Sequence, residues 1–309
     1  MTVIATDKPK PSRQFVVSET FISLEGEAQF ANIPTVYLRL ASCNLKCPKF
    51  NNPENLRDED GYAPLGFDPA DYATLEEIPL IEMGCDSQYS VNPTFSHMWK
   101  HLSLDEVVDN LISLIPHGQW VHPITQQPYI LSLTGGEPML VWKRFKEIMN
   151  HPKMVDCKHI LVETNCTVPF KWDLIDTIKS WLEDDAERRW TWSNSPKLSA
   201  SGEEWKAAIK PKVAVLQQEL VSLFPERVSQ YFKFVCDDKQ EDYDEVQKAM
   251  DAYYEGGIRK NAPIWVMPVA CTDAQQNAIA RGVALKCIDN GWSLSYRNQN
   301  AIWGNGIGT

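Results

Sequence analysis

The chain has 309 residues, and 30 Lys and Arg against 41 Asp and Glu give a net charge of −11 at pH 7. Hydrophobic residues at 43% and charged residues at 23% are typical of a globular protein, and the acidic balance argues against a bulk binder of nucleic acid. No signal-peptide pattern and no stretch of about 18 apolar residues occurs. We therefore expect a cytoplasmic protein with no membrane span and no direct nucleic-acid contact, whose cysteines stay mostly reduced.

The predicted elements begin after a polar segment, residues 1–14, that looks disordered. Short strands are predicted at residues 15–17 and 35–40, the second because it is rich in β-branched and aromatic residues. Residues 48–101 show no sustained hydrophobic period. A structureless loop of that length is uncommon inside a compact domain, so we interpret residues 48–84 as an insertion with some structure of its own.

From Ser103 onward, predicted helices and strands alternate. Capping boxes pair Ser103 with Glu106 and Thr272 with Gln275. The predicted helices are 103–115, 142–149, 174–182, 205–223, 243–254 and 272–290, and the predicted strands are 129–134, 159–164, 190–194, 231–235, 264–268 and 292–296. This order predicts an α/β protein with a mostly parallel sheet in one domain, residues 1–309. About six βα units favour a partial, open βα barrel, and a doubly wound sheet is the alternative.

Polar clusters follow four consecutive predicted strands, at the edge where parallel strands carry active sites. Each begins close to the last residue of its strand. The clusters are Ser42-Cys43, Thr134-Gly135-Gly136-Glu137, Glu163-Thr164-Asn165 and Ser195-Pro196-Lys197. They predict one site.

Cys43 and Cys47 stand in a loop directly after the second strand, with three residues between them. That spacing differs from the two-residue gap of many zinc sites, whereas an iron–sulfur cluster held by thiolates stays open. Two unrelated buried cysteines are the alternative, because free Cys is often buried. Cys157, Cys166, Cys236, Cys271 and Cys287 are interpreted as core residues.

Taken together, these motifs resemble the radical S-adenosylmethionine superfamily. Residues 19–28 and the segment Tyr37-Leu-Arg39-Leu are similar to the 7-carboxy-7-deazaguanine synthase family, whose signature Leu-Gln-Gly-Glu-Gly precedes an Arg and the first cluster Cys. Ser195-Pro196-Lys197 also matches. The resemblance covers residues 18–295, and it implies a partial βα barrel of the radical S-adenosylmethionine type.

One position breaks the pattern. The superfamily places its third cluster cysteine three residues after the second, where this chain has Phe50. Gly84-Cys85-Asp86-Ser87 reproduces the family's Cys-Asp-Thr ending with Ser for Thr, so Cys85 is the expected third ligand, displaced by the insertion. The entropy of a longer loop rises only logarithmically with length, which makes such an excursion tolerable.

The resemblance implies a [4Fe-4S] cluster on Cys43, Cys47 and Cys85, with S-adenosylmethionine on the remaining iron. Family positions that contact this cofactor correspond to Gly84, Asp86, Gly136, Glu137, Glu163, Ser195, Pro196 and Lys197. Ser87 is the expected Mg²⁺ ligand, because a hydroxyl oxygen stands where the family has Thr.

The implied substrate is a carboxylated tetrahydropterin. Arg39 is expected to bind its carboxylate, and Glu27 to accept from its guanidine-like edge. Leu24, Glu25, Gly26 and Thr134 are the other expected contacts. A strand arginine that pairs with Glu19 or Glu27 for structure alone is the alternative for Arg39. Glu25 replaces the family's Gln, Ala28 replaces a Gly, and residues 296–299 differ from the family's C-terminal ending.

The resemblance thus implies a lyase that converts 6-carboxy-5,6,7,8-tetrahydropterin to 7-carboxy-7-deazaguanine with loss of ammonia, for queuosine-type biosynthesis. It also implies a homodimer and a flavodoxin or ferredoxin as electron donor. Two alternatives stay open. A glycyl-radical-enzyme activase shares the first two cysteines, and a cluster-less binding or regulatory protein would explain Phe50.

Overall fold

One open nine-stranded sheet organises the computed structural model, which describes residues 14–304 and 306–308. The predicted disorder of residues 1–14 therefore lies, except for Gln14, outside the described residues. The strands are β1 (Phe15–Leu24), β2 (Pro34–Leu40), β3 (Lys100–Leu102), β4 (Ile130–Gly135), β5 (His159–Thr164), β6 (Arg189–Asn194), β7 (Val228–Cys236), β8 (Ile264–Pro268) and β9 (Ser293–Leu294), in the order β3-β1-β2-β4-β5-β6-β7-β8-β9.

The strands from β2 to β9 along this order are all parallel, so their C-terminal ends lie at one edge. Register aligns Arg39 with Thr134 and Glu163 with Ser193, which brings the predicted polar clusters together. At the end of β4, Gly135 has φ +139°, and a Cβ there would lie 2.0 Å from the carbonyl oxygen of Leu40. Only glycine allows this close approach between β4 and β2.

The first strand differs from its prediction of residues 15–17. β1 runs ten residues and pairs antiparallel with β2 on one side and with β3 on the other. After Val17 the apolar run of β1 ends and polar residues follow, because several positions of this antiparallel strand are only half-buried. β3 lies in the segment that showed no hydrophobic period, and its three residues are too short for a periodic signal.

In the part of the chain that the structure describes, eight helices connect and flank the strands: α1 (Leu104–Leu114), α2 (Phe145–Met149), α3 (Trp172–Glu183), α4 (Trp205–Ala208), α5 (Pro211–Leu223), α6 (Gln240–Glu255), α7 (Asp273–Asn290) and α8 (Asn298–Trp303). The predicted helix 142–149 begins as a 3-10 helix, Pro138–Arg144. The predicted helix 205–223 breaks before Pro211, because proline disfavours helical geometry in the residue before it. α8 was not predicted, and the last strand is only two residues long. Within the described residues, no helix combines the length and apolar character needed to cross a membrane.

The main core lies between the sheet and its helices and includes Trp190, Trp192, Phe232 and Phe234. The five cysteines predicted to be core residues are buried, but Cys271 lines the cavity described below, and the prediction is confirmed only for those that pack in the main core: Cys157, Cys166, Cys236 and Cys287. Residues 48–84 contain only short 3-10 turns, Pro69–Asp71 and Leu75–Glu77. Their apolar side chains join a separate small cluster with Tyr89, Phe95 and Met98. Residues 48–84, for which we keep the name of the predicted insertion, therefore pack as a layer of their own beside the C-terminal edge of the sheet.

Candidate functional site

A cavity of about 630 Å³ opens at the C-terminal edge of the parallel strands. Each of the four predicted polar clusters contributes to its wall. The insertion supplies apolar wall residues, among them Phe50, Leu75, Ile78 and Ile81. Of the predicted site residues, the wall includes Glu27, Arg39, Cys43, Cys47, Gly84, Cys85, Asp86, Ser87, Thr134, Gly136, Glu163, Ser195 and Lys197, whereas Leu24, Glu25, Gly26, Glu137 and Pro196 are not part of it.

Three cysteines, Cys43, Cys47 and Cys85, share this wall, and we call them the thiol end of the cavity. We call the loop that carries Cys43 and Cys47 the cluster loop, after its predicted role. The chain leaves this loop at Phe50 and returns beside it, because the Gly84 amide donates to the Phe50 carbonyl at 2.7 Å. Cys85 therefore enters the site next to the position where the pattern had lost its third cysteine. Gly136 lies directly behind Cys43, since a Cβ on it would be 3.0 Å from the Cys43 Cβ.

The three thiols suit a multi-iron cluster better than a single ion. No three His, Cys, Asp or Glu side chains in the described ranges converge closely enough to hold one metal ion. In a cluster each thiolate binds a different iron, and the three thiols lie close enough together that the charges of Cys85 and Cys43 raise the pKa of Cys47. Burial raises the pKa of Cys43 to about 11 and that of Cys85 to about 12, and metal binding would displace these protons. The residues present fit a cluster with three protein ligands.

Glu137, an expected cofactor contact, lies behind the cluster loop. Its carboxylate accepts from the Thr164 hydroxyl and the Asn165 amide, both at 2.7 Å, and from the Met139 amide at 3.0 Å. Burial raises the pKa of Glu137 to about 7 despite these donors. The carboxylate thus joins the ends of β4 and β5, as a buried polar group that is satisfied by backbone amides.

Glu27, Glu163 and Lys233 line the same cavity, and we call them the carboxylate end. Lys233 of β7 forms an ion pair with Glu27, and its side chain is 7% exposed. Burial opposes the charge on Lys233, but Glu27 and Glu163 raise its pKa above the usual value. Glu163 accepts from the Thr134 hydroxyl at 3.0 Å and from the Ser132 hydroxyl at 3.3 Å. Lys233 was missed in the sequence, although a lysine between four apolar or aromatic residues of one strand is itself a signal.

Glu25 lies just behind the carboxylate end and is 3% exposed. The Tyr37 hydroxyl donates to it at 3.1 Å and the Glu27 amide at 3.3 Å. Burial, together with the charges of Glu163 and Glu27, raises the pKa of Glu25 to about 8. At neutral pH this carboxyl is protonated and can donate as well as accept a hydrogen bond, which is what an amide does.

Arg39 lies between the two ends and is already paired. Its Nε donates to Glu19 at 2.7 Å, and its terminal nitrogen donates to the Ser87 hydroxyl at 3.2 Å. The guanidinium also lies 5.7 Å from the centre of the Tyr89 ring. The ion pair with Glu19 agrees with the alternative stated in the sequence analysis, in which Arg39 has a structural role. The Arg39 side chain nevertheless also reaches the cavity, beside Ser87.

The C-terminal segment also reaches the cavity, which the sequence did not predict. Arg297 forms an ion pair at 2.9 Å with Asp86, the residue that directly follows Cys85 in the chain. The Asn298 amide donates to the Gly26 carbonyl at 3.1 Å. Gln299 lies against Gly26 and is itself part of the cavity wall. The described part of the C terminus therefore joins the cluster loop to the segment that carries Glu25 and Glu27.

Comparison of the sequence with curated proteins finds three relatives that share the same name. No family model matches the chain. A 7-carboxy-7-deazaguanine synthase of Rhodopirellula baltica is 23% identical over 95% of this chain and 88% of its own length. Proteins of the same name from Methanopyrus kandleri and Methanospirillum hungatei are 24% and 25% identical, over 58% and 50% of this chain and 59% and 43% of their own lengths.

Among solved structures, the crystal structure of QueE from Escherichia coli has a TM-score of 0.47 and 17% sequence identity, over 92% of this chain and 93% of that one. The sequence relatives carry the comparison, because one of them spans nearly the whole chain. The chain is similar in sequence to proteins named 7-carboxy-7-deazaguanine synthase, and this similarity supports the family that its motifs indicate.

Proposed function

We propose that this protein is a radical S-adenosylmethionine enzyme that forms 7-carboxy-7-deazaguanine from 6-carboxy-5,6,7,8-tetrahydropterin with loss of ammonia. The observation that carries the proposal is that one cavity combines three thiols with a carboxylate end and Arg39. The shared name of the sequence relatives supports it. The Glu27–Lys233 ion pair lies on the cavity wall, where it suits a small polar substrate, and an activase that acts on a protein has less need of such a pair.

Cys43, Cys47 and Cys85 would hold the [4Fe-4S] cluster, and Gly84, Asp86, Gly136, Ser195 and Lys197 would contact S-adenosylmethionine. When bound, the cluster supplies the electron that generates the radical from this cofactor. The protein's own task is to orient the reactants and to exclude water. The apolar side chains of the insertion on the cavity wall serve that exclusion.

At the carboxylate end, the chain offers the groups that a carboxylated pterin needs. Glu27, which pairs with Lys233, can accept from the guanidine-like edge of the ring. Glu25 accepts from the Glu27 amide and the Tyr37 hydroxyl, and so helps to hold the segment that carries Glu27. Arg39 offers a guanidinium to the substrate carboxylate beside the Ser87 hydroxyl, the proposed Mg²⁺ ligand. A homodimer, a flavodoxin or ferredoxin as electron donor and the queuosine-type product pathway stay predictions from the resemblance.

The test is anaerobic reconstitution with iron and sulfide, followed by incubation with S-adenosylmethionine, Mg²⁺, dithionite and the carboxylated tetrahydropterin. We expect mass spectrometry to detect 7-carboxy-7-deazaguanine and 5′-deoxyadenosine. Cys85→Ala should lose the product completely and bind less iron, because a thiolate ligand is removed. Cys287→Ala is the matched control, since Cys287 packs in the main core and does not line the cavity, and it should keep both.

A second variant addresses the displaced ligand directly. Phe50 lies beside Gly84, so Phe50→Cys in the Cys85→Ala background should restore part of the iron. A folded wild-type chain that takes up no iron would contradict the proposal and favour a cluster-less binding protein. Product from Cys85→Ala at the wild-type rate would show that the third ligand is another residue.

A further inference from the structure

We propose that Glu203 is a positioning residue that holds the cluster loop and lowers the reduction potential of the cluster. The inference rests on the proposed function. One carboxylate oxygen of Glu203 accepts from two consecutive backbone amides, those of Lys46 and Cys47, each at 2.7 Å. No motif points to Glu203, which stands 156 positions after Cys47 in the chain.

A short turn holds Glu203 in place. The Ser201 hydroxyl donates to the Leu198 carbonyl at 2.6 Å and accepts from the Glu203 amide at 3.2 Å. Ser201 is fully buried, and its carbonyl accepts from the Lys49 amide at 3.1 Å. The turn therefore contacts the cluster loop at Lys46, Cys47 and Lys49, and it follows the strand end that carries Lys197.

The contact accounts for an uncommon backbone conformation. Cys47 has φ +46°, in the left-handed region that residues with a side chain rarely adopt. A carboxylate that binds two successive amides stabilises such a turn, because both N–H groups point to one side. Glu203 does not line the cavity, so these amides face away from it while the Cys47 thiol lies on the cavity wall.

This arrangement affects the cluster in two ways that act in the same direction. N–H groups that donate to cluster sulfurs stabilise the reduced form, which carries one more negative charge, and so raise the reduction potential. Here two amides of the cluster loop donate to Glu203 instead. In addition, the negative charge of Glu203 lies beside a ligand and disfavours the added electron. Both effects lower the potential, so the reduced cluster becomes a stronger one-electron donor to S-adenosylmethionine.

The test compares the wild type with Glu203→Gln, which keeps a carbonyl oxygen as acceptor and removes the charge. Glu204→Gln is the matched control, because Glu204 is exposed and its side chain does not cap a helix. After anaerobic reconstitution, iron and sulfide content are measured, and the potential is determined by dithionite titration followed by electron paramagnetic resonance. We expect Glu203→Gln to hold as much iron as the wild type, with a positive shift of the midpoint potential that Glu204→Gln does not show.

Glu203→Asp and Glu203→Asn form a second pair of equal size, which repeats the charge comparison if Glu203→Gln does not fold. The Asn variant should have the more positive potential. Equal potentials within both pairs, or a folded Glu203→Gln that holds no cluster, would overturn the inference and leave the proposed function intact. A wild-type chain that takes up no iron overturns the proposed function and the inference with it.

Discussion

The two ends of the cavity are built in different ways. The thiol end consists of loop residues that backbone hydrogen bonds hold in place, and the charge of Lys197 lowers the pKa of its three thiols less than burial raises it. The carboxylate end comes largely from strand residues, and Lys233 balances Glu27 within the protein. The comparison teaches that the chain itself supplies a cation to the carboxylate end, whereas the thiol end is proposed to bind metal. Changes at the first should alter folding stability, and changes at the second should alter iron binding.

The largest expected stability effect is at Lys233. Lys233→Met keeps the length of the side chain but leaves Glu27, whose side chain is 17% exposed on the cavity wall, without its cation. Breaking one partner of a fully buried pair destabilises by about 3 to 5 kcal/mol, and the partial exposure of Glu27 places the expected loss near the lower figure. Urea unfolding of the protein without iron should therefore show a strongly lowered midpoint.

Two controls sharpen that result. Glu27→Gln combined with Lys233→Met should recover much of the loss, because no uncompensated charge remains. Cys85→Ala at the thiol end should lose only about 1 kcal/mol, the value for a typical substitution. Equal losses for Cys85→Ala and Lys233→Met would remove the contrast between the two ends.

Glu25 gives the next effect, and it depends on pH. Its pKa is about 8 in the folded protein against 4.5 as the reference value, so the unfolded chain releases this proton first as pH rises. The contribution of Glu25 therefore becomes unfavourable above pH 4.5 and grows until about pH 8. Glu25→Gln removes it, and the Tyr37 hydroxyl can turn to suit the amide.

Glu25→Gln should be more stable than the wild type by up to about 3 kcal/mol at pH 7 and nearly equal to it at pH 4.5. Urea unfolding at both pH values measures the difference. The control variant Glu204→Gln changes an exposed residue and should have the stability of the wild type at both pH values. A Glu25→Gln variant less stable than the wild type at pH 7 would mean that the carboxyl is ionised in the folded protein.

The sequence predicted the parts of the site that depend on local order. Alternating helices and strands placed four polar clusters at strand ends, and parallel register brought them to one cavity. Cys85 was identified from a three-residue match, and the structure places it with Cys43 and Cys47. Lys233 and Glu203 were not found, because their roles depend on partners more than 150 positions away in the chain. The pairing of Arg297 with Asp86 was missed for the same reason.

His159 gives the smallest expected change in folding stability. It lies outside the cavity and tests whether burial also makes stability depend on pH there. Its ring contacts Phe30 and the Thr191 hydroxyl, and burial, with a smaller effect of Arg189, lowers its pKa to about 3. As pH falls below 6.5, the imidazole of His159 binds a proton in the unfolded chain but not in the folded protein. The free energy of unfolding therefore decreases as pH falls. The loss is about 2 kcal/mol at pH 5.

Between pH 5 and pH 7, His159 and Glu25 therefore act with opposite sign and similar size, and the wild type shows little net slope from the two. His159→Gln should be less stable overall, and its stability should fall as pH rises, because the effect of Glu25 is no longer opposed. Glu25→Gln should show the reverse slope. The exposed His101→Gln is the control and should follow the wild type. Parallel pH curves for all four proteins would contradict both assignments, whereas a slope change in Glu25→Gln alone would confine the effect to the carboxylate end.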